Sequence, residues 1–188
     1  NELFFMKKIL IIGKKSFLGT SLNFYLSKFF NVDKFSLEQV LKKRKNSFDK
    51  YSHIINTAIH KDYIKKKYNS KFDLDKKFIK KFDEIKFYYL FMNSRKIYYP
   101  GENLKESSKI SPVDIYGKNK YLTERYLKKK IKNRLISLRI SNVIGKRFPI
   151  NLRNNHKLFF DNFLKFRKSK KKIIVFDEFK DFISIKQF

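Results

Sequence analysis

Tyr116 and Lys120 are the residues whose types and spacing best suit proton-transfer chemistry in this sequence. They stand four positions apart in a segment with helical periodicity, so their side chains share one helix face. A free phenol has a pKa of about 10, too high for proton transfer near neutrality, and an adjacent ammonium favours the phenolate. The pair therefore predicts an acid or base, Tyr116, assisted by Lys120. The same spacing also arises by chance in a chain with 46 Lys and Arg, so neighbouring segments must decide.

A glycine-bounded turn, Gly13 to Gly19, is the second candidate site. Where a buried strand meets a helix, backbone N–H groups and the helix dipole can hold a pyrophosphate. Gly13 permits a tight turn and Gly19 permits close helix–strand contact, while Ser16 replaces a usual middle glycine. A turn without a ligand explains two glycines about as well.

Ala58 is the only alanine in the chain and follows an apolar run. A small side chain there would let a dinucleotide lie against the strand end, and simple core packing is the alternative.

The elements that must position these residues alternate along the chain. Apolar runs predict strands at residues 9–12, 32–35, 53–57, 87–92, 135–140 and 173–176. Helical spacing predicts helices at residues 18–29, 72–82, 116–131 and 158–166. This alternation predicts an α/β fold with a doubly wound, mostly parallel sheet.

Taken in order, these segments resemble the extended short-chain dehydrogenase/reductase family, specifically its NAD-dependent nucleotide-sugar epimerases, dehydratases and reductases. The resemblance rests on the glycine turn and on five further segments, at residues 54–58, 93–98, 112–120, 139–145 and 180–185. The segment 54–58 is similar to the family's fourth strand, and Asn119 replaces the usual serine before the catalytic lysine.

The resemblance implies a Rossmann fold and a set of site residues. Ser94, Tyr116 and Lys120 would be catalytic, and Ser94 and Asn142 would contact the substrate. The dinucleotide would contact Gly13, Ser16, Phe17, Leu18, Gly19, Ala58, Tyr116 and Lys120. The implied partners are a nucleotide-sugar substrate and, in a homodimer, a second copy paired through helices.

The resemblance also implies two parts, an NAD(P)-binding domain over residues 6–147 and the start of a substrate-binding part over residues 148–188. Family members are considerably longer than 188 residues, so we expect the substrate-binding lobe to be truncated or minimal.

The cofactor and the reaction each leave alternatives. Residues 34–36 lack the carboxylate that would hold an NAD ribose, and Lys14 and Lys15 suit an extra phosphate, so NADP competes with NAD. Dehydration is disfavoured because Arg95 and Lys96 follow Ser94 where the family's dehydratases carry an acidic pair. An epimerase and a carbonyl reductase similar to dTDP-4-dehydrorhamnose reductase both stay open.

The formal net charge of +29 raises nucleic acid as a partner, but the basic residues are spread over every segment. A bias towards AT-rich codons explains the abundance of Lys, Ile, Phe, Asn and Tyr more simply, so we do not expect nucleic acid. The rival hypothesis is a non-catalytic Rossmann module that binds nucleotide or RNA.

The remaining cysteine, histidine, carboxylate and basic positions give little support for any further kind of site. The chain has no Cys, and its three histidines, His53, His60 and His156, lack metal-ligand spacing, so we predict no metal. Glu102, Glu106 and Glu124 are interpreted as solvated carboxylates. Arg139, Lys146 and Arg147 are equally well explained as contacts to a substrate phosphate or as general surface charge. The sequence shows no signal-peptide core or membrane span, so we expect a cytoplasmic protein.

Overall fold

Strands and helices alternate through the part of the chain described by the computed structural model, which comprises residues 8–84, 86–145 and 182–187. The strands there are β1 (Lys8–Ile12), β2 (Val32–Phe35), β3 (Tyr51–Asn56), β4 (Tyr88–Ser94), β5 (Leu135–Ile140), β6 (Asn142–Ile144) and β7 (Phe182–Ser184). The α-helices are α1 (Phe17–Leu26), α2 (Leu37–Leu41), α3 (Lys61–Lys65), α4 (Leu74–Phe82) and α5 (Ile115–Ile131). Three 3-10 turns lie at Lys45–Phe48, Arg95–Ile97 and Lys132–Arg134.

A five-stranded parallel sheet in the order β2-β1-β3-β4-β5 forms the centre of the molecule. The apolar run of β1 predicted this position, because Leu10, Ile11 and Ile12 are fully buried between the two faces. Ile12 pairs with Phe35 and with Asn56, and Ser94 pairs with Ile140. The carboxyl ends of all five strands therefore meet at one edge of the sheet.

Helices cover both faces of this sheet, which makes the fold doubly wound as predicted. On one face, Leu22 and Leu26 of α1 pack on a cluster that contains Ile9, Ile11 and Ile55. The opposite face is larger and joins β1, β3 and β4 to α2, α4 and α5. Its buried members include Leu10, Ile54, Tyr89, Phe91, Val40, Phe48, Phe78, Ile79, Phe82, Leu127 and Ile131.

The chain between β2 and β3 forms α2 and a 3-10 turn but no strand. The segment that is similar to the family's fourth strand is therefore the third strand here, as the order of the apolar runs predicted. Residues 37–48 supply one short helix and one turn, and β2 is left at the edge of the sheet.

The later part of the chain enters the structure through β7, which pairs in parallel with β6 and joins Val143 to Ile183. The predicted strand at 173–176, the predicted helix at 158–166 and the proposed boundary at residues 147/148 lie outside the described residues. Within the described ranges, no helix combines the length and the hydropathy that crossing a bilayer requires.

Candidate active site

Tyr116 lies in the first turn of α5, at the edge where the strands end. Asp114 caps this helix and accepts a hydrogen bond from the Gly117 N–H at 2.6 Å. A β-carbon on Gly117 would lie 2.2 Å from the carbonyl oxygen of Lys96, so only glycine permits this contact. The start of α5 is thereby packed against the 3-10 turn that follows Ser94.

Lys120 is buried one turn further along α5, with 4 % of its surface exposed. Its Nζ donates to the carbonyl oxygen of Met92 at 2.5 Å. The ammonium lies over three aromatic rings, those of Phe91 at 4.6 Å, Tyr63 at 5.7 Å and Tyr116 at 5.8 Å. The structure thus brings Tyr116 and Lys120 together as the four-residue spacing predicted.

Ser94 and Asn142 lie at the same edge of the sheet. Ser94 ends β4, is 8 % exposed, and its Oγ accepts from the Lys96 N–H at 3.3 Å. It is two residues beyond Met92, the Lys120 acceptor, and it pairs with Ile140. Asn142 follows Ile140 by two residues and is exposed. The placement is compatible with a shared site for Ser94, Tyr116, Lys120 and Asn142.

The glycine turn between β1 and α1 is held closed by Ser16 and Thr57. Gly13 adopts φ +116°, and a β-carbon there would lie 2.3 Å from the Thr57 Oγ1. The Ser16 hydroxyl contacts Thr57 Oγ1 at 2.6 Å and the Gly13 carbonyl at 3.0 Å, and Thr57 Oγ1 donates to the Ile12 carbonyl at 2.8 Å. Sequence reasoning did not select Thr57, whose hydrogen bonds reach residues more than 40 positions earlier.

Ser16, which stands where such loops usually have a middle glycine, also caps helix α1. Its Oγ caps α1 by accepting the Gly19 N–H at 2.9 Å, and its side chain turns in towards β3. Phe17 and Leu18 supply the next N–H groups of the first helical turn, where a pyrophosphate would be held. Ala58 stands across the turn, with its N–H donating to the Asn56 Oδ1 at 3.0 Å. The residues present therefore fit a dinucleotide.

A buried polar network lies beneath this edge, between α4, α5 and the sheet. Asp75 Oδ1 accepts from the Asn56 amide at 2.8 Å and from the Tyr89 hydroxyl at 2.7 Å. Asp73 accepts from Thr123 at 2.7 Å. Burial raises the pKa of Asp75 to about 6, and the charge of Lys120 is the largest influence in the opposite direction. Sequence reasoning missed both carboxylates, because acids at a helix start usually serve only as caps.

Positive charge collects where β2 ends. Burial and, after it, the nearby Lys14 ammonium lower the pKa of Lys34. The carboxylate of β2, Asp33, points elsewhere, because it pairs with Lys8 at 3.0 Å and accepts from Tyr51 at 2.5 Å. No carboxylate of β2 therefore faces Lys14 at the strand end.

The interpretation of Glu124 as a solvated carboxylate is wrong, and its partner is Arg139, for which two explanations stayed open. Glu124 is 1 % exposed, and Arg139 donates to its two carboxylate oxygens at 3.2 and 3.4 Å. Arg139 also donates to the Tyr98 hydroxyl and to the Glu106 carbonyl, so its guanidinium is engaged within the protein. Apolar packing of α5 on β5 carries Glu124 inside, where the charge needs a partner. Glu102 and Glu106 are exposed as predicted, and Lys146 and Arg147 lie outside the described residues.

The described histidines have structural contacts. His53 stacks on Tyr88 at 5.4 Å, and His60 caps α3 and stacks on Phe72 at 4.7 Å. His156 lies outside the described residues. Residues 8–84, 86–145 and 182–187 contain no cluster of three metal-binding side chains, and the absence of a metal stays a prediction.

Asn119, which stands where the family that the sequence resembles has a serine, joins α5 to the end of α3. Its amide donates to the carbonyls of Tyr63 at 2.7 Å and Lys66 at 2.8 Å.

Known proteins resemble this chain in structure and not in sequence. No protein-family model matches it, and no curated protein matches it by sequence. A UDP-N-acetylglucosamine 4-epimerase from Methanobrevibacter ruminantium, in complex with UDP-N-acetylmuramic acid, superimposes with a TM-score of 0.72 at 16% identity over 96% of this chain. This chain therefore shares the Rossmann fold of that epimerase.

Two further structures carry the same Rossmann fold. A dTDP-4-dehydrorhamnose reductase from Clostridium acetobutylicum matches 86% of this chain with a TM-score of 0.64 at 18% identity. An NAD-dependent NDP-hexosamine 5,6-dehydratase involved in tunicamycin biosynthesis matches 96% with a TM-score of 0.73 at 14% identity. The chain spans 69%, 60% and 68% of the lengths of the epimerase, the reductase and the dehydratase. One fold thus carries three reactions, and the choice between them depends on site residues.

Proposed function

We propose that this chain is the dinucleotide-binding part of an NAD(P)-dependent enzyme that oxidises or reduces a nucleotide-sugar, as an epimerase or a carbonyl reductase. The observation that carries the proposal is the burial of the Lys120 ammonium 5.8 Å from the centre of the Tyr116 ring, at the edge that also carries the glycine turn. The UDP-sugar bound to the similar epimerase supports the substrate class.

These positions support the following catalytic roles. Ser94 and Tyr116 contact one sugar oxygen, Tyr116 takes or returns its proton, and Lys120 favours the phenolate and contacts the nicotinamide ribose. Asn142 contacts the sugar. A bound nicotinamide would supply hydride transfer at the adjoining carbon. Arg95 and Lys96 after Ser94 offer no acid for elimination, so an epimerase or reductase is favoured over the dehydratase reaction.

NAD is the first cofactor to test, because the similar dehydratase is NAD-dependent. NADP is the second, because Lys14 and Lys34 lie close enough for their charges to interact at the end of β2. A titration with each dinucleotide decides between them by affinity.

Replacement of Tyr116 by Phe tests the chemistry. We expect Tyr116→Phe to lose turnover by at least about a hundredfold while its NAD affinity stays within about threefold, since only the proton-transfer group is removed. The assay would offer UDP- and dTDP-sugars with NAD(H) or NADP(H), follow nicotinamide absorbance and separate epimers by chromatography.

Tyr121→Phe is the matched control, because Tyr121 belongs to the same helix and contacts Arg125. It should leave turnover unchanged. Full activity in Tyr116→Phe would overturn the catalytic assignment.

A further inference from the structure

Asp75 is a buried carboxylate beneath the candidate site that the proposed chemistry does not use. It lies in the first turn of α4, is 6 % exposed, and accepts both of its side-chain hydrogen bonds on Oδ1, from Asn56 and Tyr89. These two donors belong to β3 and β4, the strands whose ends carry Ala58 and Ser94. Asp75 therefore lies beneath both the strand end that carries Ala58 and the strand end that carries Ser94.

Its first link is to Lys120. The ionisable groups that face Asp75 are Lys120 from α5, Asp73 from its own helix, Tyr89 from β4 and Tyr63 from α3. Lys120 is the cation among these described groups and the largest influence that favours the ionised carboxylate. The two side chains form no salt bridge, since the Lys120 ammonium donates to the Met92 carbonyl, so the buried cation acts on the buried carboxylate through its charge at longer range.

Its second link is to the strand end that would face the dinucleotide. The Asn56 amide donates its Nδ2 hydrogen to Asp75, so its Oδ1 is left to accept the Ala58 N–H. A carboxylate can only accept, which fixes the direction in which this amide points. The backbone of Ala58 is held through Asn56 by Asp75.

We infer that Asp75 is a positioning residue that couples Lys120 to the dinucleotide-facing end of β3, through its negative charge and its bond to Asn56. The inference rests on the proposed function, because Lys120 and Ala58 have a common task only if a dinucleotide binds here. When Asp75 gains a proton, Lys120 loses a buried counter-charge, and its position near the expected nicotinamide ribose then depends on the Met92 carbonyl and the surrounding rings. Burial sets the pKa of Asp75 at about 6, so this change falls in an accessible pH range.

Titration of the Asp75 carboxyl tests the pairing without any assay of activity. Its 13Cγ resonance, identified by its loss in Asp75→Asn, would be followed against pH by NMR. Removal of the cation in Lys120→Met should raise the midpoint by at least about one pH unit, whereas Lys120→Arg keeps the charge and should restore it. Lys118→Met, at an exposed position of the same helix, should leave the midpoint unchanged. An unchanged midpoint in Lys120→Met would overturn the inference.

Calorimetric titration with NAD tests the coupling. Wild-type affinity should fall roughly tenfold as pH drops through about 6, the equivalent of one lost charge-assisted hydrogen bond. Asp75→Asn should show the weaker affinity at every pH, with the pH dependence gone.

Asp73→Asn is the matched control, since Asp73 is also buried at the start of α4, and asparagine still caps a helix. It should keep a pH dependence whose midpoint lies at lower pH than in wild type, because the charge of Asp73 raises the pKa of Asp75. A loss of the pH dependence in both variants would overturn the coupling. If wild-type protein binds no NAD at either pH, the proposed function fails, while the NMR titration still decides whether Asp75 and Lys120 are paired.

Discussion

Burial of a single carboxyl group, that of Asp75, makes the stability of this protein depend on pH in an unusual direction. Its pKa is about 6 in the folded protein and about 4 in an unfolded chain. The folded state therefore holds the proton more tightly, and this residue's contribution to the free energy of unfolding falls as pH rises from about 4 to about 6.

Asp75→Asn removes this ionisation while keeping the shape of the side chain. We compare the free energies of unfolding of the variant and of wild type at each pH. As pH rises from roughly 4 to 7, this difference should shift in favour of the variant by up to about 3 kcal/mol, since each pKa unit is worth about 1.4 kcal/mol. Urea unfolding at a series of pH values measures the difference, in which the other carboxyl groups cancel.

Glu84→Gln is the control with the opposite sign. Hydrogen bonding to Lys45 lowers the pKa of Glu84, so that variant should lose stability relative to wild type as pH rises. A difference between Asp75→Asn and wild type that does not change with pH would contradict the prediction.

At the scale of elements, the Glu124–Arg139 pair joins α5 to β5 and to the segment that follows Ser94. Arg139 binds Glu124, the Tyr98 hydroxyl and the Glu106 carbonyl, so one guanidinium connects three parts of the chain. Among the described residues, Lys128 is the other cation that pairs with Glu124, at 3.6 Å. Removal of Arg139 would leave the buried Glu124 carboxylate paired with Lys128 alone among the described residues, and the Lys128 side chain is largely exposed.

Arg139→Met should therefore destabilise the protein by about 3 kcal/mol, the usual cost of breaking a buried ion pair from one side. The double variant with Glu124→Gln should recover part of that loss, because no unpaired charge is left. Thermal or urea unfolding provides the measurement. Arg125→Met, at an exposed position of α5, should change stability by less than about 0.5 kcal/mol, and an equal loss there would contradict the explanation.

The sequence predicted the five strands of the sheet to within two residues, because continuous apolar runs are a direct sign of strands buried on both faces. It did not predict α2 or α3, which begin at the capping residues Ser36 and His60 and are only five residues long. The contact between Tyr116 and Lys120 was predictable from local spacing. The roles of Thr57, Asp75 and Glu124 were not, because their partners come from distant segments.

At the scale of the whole molecule, the charge of +29 is spread over the surface of many elements. Exposed lysines such as Lys15, Lys67, Lys81, Lys105 and Lys129 lie on different elements and loops and form no single stripe. Dispersed charge attracts polyanions only through counterion release.

We therefore expect an RNA oligomer to bind weakly and to lose at least about tenfold in affinity between roughly 50 and 200 mM salt, while NAD affinity changes little. Calorimetry at the two salt concentrations measures both. Tight RNA binding without dinucleotide binding would instead favour the non-catalytic module.

The bond between Ser16 and Thr57 has an entropic consequence for ligand capture. Ordering the backbone costs about 1–2 kcal/mol per residue, and a turn tied to β3 by its own hydroxyl groups has lost that freedom during folding. When a ligand binds to a turn that is already ordered, the backbone does not lose this entropy a second time, so the ligand binds to a preorganised site. The amide hydrogens already bonded within the turn, those of Ser16 and Gly19, should then be protected from exchange with solvent before any dinucleotide is added.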